Sequence, residues 1–228
     1  LLASAHQVDR EFRILSALRG SGIPVPDARV FCDDGNEVLG QAFYIMDSVD
    51  GRVFQDPTLP DVPALERAAI FDSMNEVLAR LHALDPRAYG LAEFERPDPY
   101  IVRQIERWTK QYRAAQTDDI PEMEQLIEWL PRHLPTEHPV VIAHGDYRLG
   151  NLIIHPTQPK VVAVLDWELW TLGHPLCDLA FNCMSYYLDE LPAGFAGTDV
   201  AALGIPTEAQ YVARYCERTG RDGIPDWP

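Results

Sequence analysis

The chain has 228 residues, 46% hydrophobic and 24% charged, enough to bury a core in one large or two small domains. Its formal net charge of -16 is scattered along the sequence, which argues against nucleic acid as a partner and means that a polyanionic ligand needs a metal ion or a few placed cations. No apolar run approaches the roughly 20 residues of a membrane span, and "LLASAHQVDREF" lacks the basic flank and apolar stretch of a signal peptide, so no membrane partner and a cytoplasmic location are expected.

Ser4 can cap a helix over Ala5 to Arg19, stopped by Gly20, Gly22 and Pro24. Val8, Leu15 and Leu18 form its apolar stripe, with Phe12 and Ile14 beside it. Glu11 lies on that stripe, where a carboxylate is costly unless it is paired or reaches water. Periodicity leans toward an edge residue that reaches water; a designated cationic partner is the other reading. "ARVFCDDGNEVLGQAFYIMDSVDG" reads as two strands about the turn Asp34-Gly35-Asn36, the second over Gln41 to Val49. The Pro-bearing connector "FQDPTLPDVP" then suggests a boundary between a small first lobe and a larger second one.

The pattern turns helical over Ala64 to Leu84, with Leu65, Ala69, Met74, Leu78 and Leu81 near one face. Asp98 and Pro99 start a helix that runs through Ala115, and Pro121 to Leu134 forms another, disturbed at Pro131. After a short β segment come helices over Leu176 to Leu188 and Glu208 to Arg218, which makes the class α+β. Cys32, Cys177, Cys183 and Cys216 hold no CxxC pair, and the spacing of His174, Cys177 and Cys183 fits no common zinc motif.

The chemistry concentrates in "VVIAHGDYRLGNLIIHPTQPKVVAVLDWE", Val140 to Glu168. A hairpin turning between Gln158 and Pro159 sets Asn151 opposite Asp166, with Asp146 on the loop before it. Any one of these polar residues alone reads as a turn former or strand cap. Together, two carboxylates and an amide oxygen suit magnesium, which takes few protein ligands and leaves room for phosphate and water. The set fits phosphoryl transfer: one acid aligns a hydroxyl and accepts its proton, while the amide and the other acid hold metal against nucleotide phosphates.

At "HGDYRLGN" and "LDWE" the chain resembles the aminoglycoside phosphotransferase family, which has a protein-kinase-like fold. With "LLASAHQVDREFRIL" and "LDWELWTLGHPLCDLAF" it looks most similar to the branch of kinase-like domains associated with acyl-CoA dehydrogenases. The resemblance implies ATP and Mg2+ as cofactors, Asp146 as catalytic base, and Asn151 and Asp166 as metal ligands. It implies that Glu11 is the helix carboxylate paired with a phosphate-gripping lysine, against the lean from periodicity. It places the adenine-binding hinge at Ile45 to Val49, with Met46, Asp47 and Val49 on the nucleotide. Arg148 either neutralises the transferring phosphoryl group or is a surface arginine paired with a carboxylate. His144 would support the loop by hydrogen bonding, and Asp178 would brace it from a helix start.

The only lysines, Lys110 and Lys160, match neither the missing lysine nor its place before the first helix. The resemblance therefore reads these residues as the middle of a longer protein: residues 1–52 an incomplete small N-lobe, 53–228 a mostly helical C-lobe. "DWE" also stands where kinases carry "DFG", so glycine-dependent flipping of that segment is not expected. The expected activity is an ATP- and Mg-dependent kinase acting on a small-molecule hydroxyl, a hydroxyacyl compound or its CoA thioester. The alternative is a non-catalytic kinase-like module that binds nucleotide or a partner. An acceptor bowl would lie between the Asp146 loop and the helices from Asp98 to Leu134. Trp108, Tyr112 and Trp129 could line it, although aromatics at helical spacing more often belong to a core.

Overall fold

A computed structural model describes residues 8–33, 38–96, 99–135, 140–188, 194–225 and 227. The expected cap Ser4, the turn Asp34-Gly35-Asn36 and the cap Asp98 lie outside the described residues.

Helix α1 spans Val8–Leu18, carries Asp9 and Glu11 in its first turn and buries Ile14, Leu15 and Leu18. Ser21 ends it by bonding twice to the Leu18 carbonyl, through its amide at 3.0 Å and its hydroxyl at 2.6 Å. Strands β1 (Ala28–Cys32) and β2 (Phe43–Met46) then pair antiparallel, with Phe31 opposite Tyr44. Phe12 of α1 packs on both rings, at 5.6 and 6.3 Å between centroids, which fastens this sheet to the helix. The second strand is shorter than its expected span, because the Asp47 amide turns to the Asp27 carbonyl at 2.9 Å and the chain leaves the sheet.

The connector is anchored immediately. Arg52 and Ile154 exchange backbone hydrogen bonds of 2.7 and 2.8 Å. A Cβ on Gly51 would lie 2.2 Å from the Ile153 side chain, so only glycine allows this crossing.

Helix α2 (Ala64–His82) is the central pillar, with Ile70, Leu78 and Leu81 fully buried. Burying one such side chain stabilises the fold by roughly 1.5–3 kcal/mol. Leu65, expected on the apolar face, is 89% exposed. The first turn stands at the rim of a groove shared with Ile205 and Ala213, beyond the packed face. Helices α3 (Tyr100–Ala115) and α4 (Pro121–Trp129) bury no residue fully and are joined by the Arg113–Glu124 ion pair. Past α4 the chain tightens into a 3₁₀ turn, Leu130–Arg132, where Pro131 forbids continuation.

The β segment contains four short strands. β3 (Val141–Ala143) pairs with β6 (Thr171–Gly173), and β4 (Leu152–Ile154) with β5 (Val161–Val164). β6 is absent from the sequence reading. Helix α5 spans Pro175–Cys183, shorter than expected because Met184–Tyr186 form a 3₁₀ turn. Helix α6 (Glu208–Thr219) opens on a capping box between Thr207 and Gln210 and lies along α2. The α+β expectation holds. All four cysteines are free, and among the described residues no helix is long and apolar enough to cross a membrane.

Candidate active site

The loop after β3 is fixed by hydrogen bonds to nearly every polar atom that leads into Asp146. His144 is fully buried, with Nε2 at 2.9 Å from the Leu165 carbonyl and Nδ1 at 3.2 Å from the Asp146 amide. A carbonyl only accepts and an amide only donates, so Nε2 carries the hydrogen and the ring is neutral. Burial is the main reason its pKa falls below the ordinary histidine value. His144 thus supports the loop by hydrogen bonding and ties it to the segment before Asp166.

Gly145 has φ +86°, and a Cβ there would stand 2.6 Å from the Leu169 carbonyl. Its amide donates to Asp178 Oδ1 at 2.8 Å, while the His144 amide donates to Asp178 Oδ2 at 2.6 Å. Asp178, on the first turn of α5, is 1% exposed. Burial works to raise its pKa, but the hydrogen bond and charge of His82, with His144 and the Gly145 amide, hold it below the usual carboxylate value. Asp178 therefore clamps the two peptide groups that precede Asp146.

Asn151 Nδ2 donates to Asp146 Oδ2 at 2.7 Å and to the Asp146 carbonyl at 2.9 Å. The loop and the following strand are locked together by the side chains singled out from spacing. Arg148 Nε stands 3.3 Å from Asp146 Oδ1, with its side chain 48% exposed. In this structure it is a surface arginine paired with a carboxylate.

Asp166 requires a correction. Leu152 pairs with Val164, and the Leu165 amide donates to the Asn151 carbonyl at 2.8 Å, so Asn151 faces Leu165 and not Asp166. The hairpin is asymmetric, with a register irregularity between Ile153 and Ile154, and the midpoint between Gln158 and Pro159 does not hold along it. Asp166 instead takes a left-handed conformation, φ 62°, at the strand end, exposed and without a side-chain capping bond. It lies within electrostatic reach of His144 and Tyr44.

Among the described residues no three His, Cys, Asp or Glu side chains form a metal-binding group. The oxygen donors singled out from sequence, the Asp146 and Asp166 carboxylates and the Asn151 amide oxygen, are hard ligands of the kind magnesium takes. Neither Asn151 Oδ1 nor the Asp166 carboxylate accepts a hydrogen bond among the described residues, which leaves hard oxygens free to face a cation.

Glu11 is half-buried and accepts from the Tyr44 hydroxyl at 2.9 Å, so it does not simply reach water. Tyr44 is held protonated, first by burial and then by Glu11. Sequence reading missed this partner, which alternation in β2 could only have placed on the inner face. Met46 pairs with Ala28 at the sheet edge. The Asp47 carboxylate is taken by Arg29, whose hydrogen bonds hold its pKa low. With the Asp47 amide also occupied, the segment expected as the hinge has open backbone at Ser48 and Val49, which make no hydrogen bond among the described residues.

Beside Asp146 lies a cavity of about 420 Å³, lined among others by Arg10, Arg107, Trp108, Glu168 and Trp170. Trp108 is the one expected aromatic that lines it. Trp129 stacks on His133 at 4.0 Å, and the buried Tyr112 hydroxyl has no partner among the described residues. Arg10 and Trp170 hold each other: the guanidinium donates to the Trp170 carbonyl at 2.9 Å and the indole to the Arg10 carbonyl at 3.0 Å. Burial is the main cause that lowers the Arg10 pKa, with Arg96 and Arg107 acting the same way. Alongside Asp146, Glu168 and Asp178 this cavity wall carries two arginines, Arg10 and Arg107, with Arg96 in electrostatic reach of the first. Sequence reading named none of these arginines.

A model described as the phosphotransferase enzyme family matches residues 2–215. Mouse acyl-CoA dehydrogenase family member 10 is 47% identical over the whole chain, which spans 21% of that protein's length. The crystal structure of a candidate aminoglycoside phosphotransferase from Ralstonia eutropha superposes with a TM-score of 0.89 at 50% identity, over 96% of this chain and 67% of that one. Aminoglycoside phosphotransferase APH(3'')-Id from Streptomyces rimosus, at 18% identity and a TM-score of 0.60 over 95% of this chain and 78% of its own, shares the fold alone.

Proposed function

The chain belongs to the phosphotransferase enzyme family, and on that premise we propose that it moves the γ-phosphoryl group of ATP, with magnesium, onto a hydroxyl of a small molecule. Asp146 is the base that orients the hydroxyl and takes its proton as the oxygen attacks phosphorus and ADP leaves. Asn151 Oδ1 and Asp166 would hold magnesium, which would supply charge neutralisation on the phosphates. Glu11 serves the nucleotide side, and the backbone from Met46 through Asp47 to Val49 receives the base, with residues 1–52 as the small lobe. Arg148 leaves Asp146 when nucleotide binds and faces the transferring group; its exposure gives it room to turn.

The observation that carries this reading is the 2.7 Å bond from Asn151 to Asp146, at the wall of a cavity large enough for a small substrate. Arg10 and Arg107, which share that wall with Asp146, Glu168 and Asp178, offer guanidinium partners to an acceptor with negative charge, such as a hydroxyacyl compound or its CoA thioester. The sequence likeness to an acyl-CoA dehydrogenase family member points the same way. The alternative is a non-catalytic nucleotide- or partner-binding module.

Substrate-dependent ADP formation separates the two. Asp146→Asn should lower turnover by about 10²–10⁴-fold and leave ATP-Mg affinity within a few-fold. Unchanged turnover would remove Asp146 from the chemistry.

A further inference from the structure

Beneath the Asp146 loop runs a line of buried polar groups that the proposed chemistry does not use. His82, in the last turn of α2, has Nε2 at 3.2 Å from Asp178 Oδ2 and Nδ1 at 2.7 Å from the Tyr215 hydroxyl on α6. The side chains of His82 and Asp178 are 2% and 1% exposed, and Tyr215 is fully buried. The His82 and Tyr215 rings also meet edge to face, with centroids 5.8 Å apart.

The direction of each bond follows from the groups involved. An ionised carboxylate only accepts, so His82 Nε2 carries a hydrogen and donates to Asp178. In the singly protonated ring Nδ1 is then an acceptor for the Tyr215 hydroxyl, which burial keeps protonated. The line runs Tyr215 to His82 to Asp178, and from there to the amides of His144 and Gly145. It ends one peptide bond before Asp146.

We propose that His82 and Tyr215 are positioning residues for Asp146, acting through Asp178 to hold the His144 and Gly145 peptides in their catalytic orientation. Asp178 has two oxygens and three donors around it: each amide holds one oxygen, and His82 adds a second pull on Oδ2 that opposes rotation about the side chain. Released, the carboxylate can turn away from one amide, and Gly145, with no Cβ to confine it at φ +86°, is free to follow. A displacement of about 1 Å at a reacting group can cost as much as 10²-fold in rate. The elements joined are α6, α2, α5 and the loop after β3, so packing between the first two helices bears on the chemistry without touching a substrate.

This rests on the reading of Asp146 as the base, and the test keeps the two apart. In the 228-residue chain, kcat, acceptor KM, ATP-Mg affinity and melting temperature are measured for four variants. His82→Gln keeps an N–H near the Nε2 place; His82→Leu removes it; Tyr215→Phe removes the hydroxyl and keeps the ring; Asp146→Asn is the reference. His82→Leu should lower kcat at least about tenfold with KM and nucleotide affinity nearly unchanged, and His82→Gln should restore most of the loss. Tyr215→Phe should lower kcat by about threefold or more at a temperature well below its melting point. Equal kcat for Gln and Leu, whether both low or both normal, overturns the proposal. If His82→Leu does not fold, Tyr215→Phe decides, and wild-type kcat there overturns it. If Asp146→Asn itself retains turnover, the functional reading fails first.

Discussion

Asp166 shows how one backbone angle decides what a side chain can do. At φ 62° it has left the strand, and its carboxylate is exposed and uncapped where an aspartate in β5 would face a neighbouring strand. A non-glycine residue in this region costs on the order of 1 kcal/mol, less for Asp than for most. On the proposed reading, a carboxylate held for a cation accounts for keeping it there. Asp166→Ala should weaken nucleotide binding at least about tenfold in the presence of magnesium and leave binding in chelator unchanged. Titration of labelled nucleotide in both conditions checks this, and equal weakening would remove the metal role. Asp146 and Asn151 were legible in sequence because their contact spans a separation of five residues in one loop. The Tyr44–Glu11 and His82–Asp178 bonds, separated by 33 and 96 residues, were not, since no local periodicity encodes them.

Among elements, the helices were legible and the strands less so. α2, α3 and α6 lie close to their expected spans because apolar spacing and breakers such as Pro99 act within a turn or two. Three-residue strands carry almost no alternation, so β6 escaped notice, and its partner β3 lies some thirty residues earlier. The β4–β5 register slipped by one residue for a related reason: an irregularity inside a strand leaves no composition signal. The turn leaving β3 is more constrained than either neighbour. Gly145→Ala would force a Cβ to 2.6 Å from the Leu169 carbonyl in a left-handed conformation. A loss of about 2–4 kcal/mol in stability and at least tenfold in turnover is expected, read by thermal melting and ADP formation. Full stability would mean that the turn is looser than its geometry implies.

For the whole molecule, charge sets the terms on which an anion can be bound. At physiological ionic strength the screening length is about 8 Å, so distant surface carboxylates count for little inside a cavity, where Arg10 and Arg107 share the wall with Asp146, Glu168 and the buried Asp178. Arg107→Glu should raise KM for an anionic hydroxyacyl acceptor about tenfold, with kcat changed only a few-fold. Steady-state kinetics over a salt series checks it, and an unchanged KM would move acceptor recognition elsewhere. Composition gave the fold class and the local motif gave the loop. Neither could place these arginines, because Arg10 and Arg107 meet only once α1 and α3 are brought to the same cavity.

The crossing at Arg52 restricts how the molecule can breathe. Asp47 is fastened to the first sheet through its amide and carboxylate, Arg52 is stitched to the hairpin that carries Asn151, and Gly51 is wedged against Ile153. Ser48, Val49 and Asp50 form the covalent link between these anchors, and the Arg10–Trp170 pair and the Val164 amide, which donates to the Pro24 carbonyl at 2.8 Å, tie the first segment to the second as well. On the proposed reading, a nucleotide entering beside that link meets an aperture whose width is set by these bonds as much as by the three residues of chain.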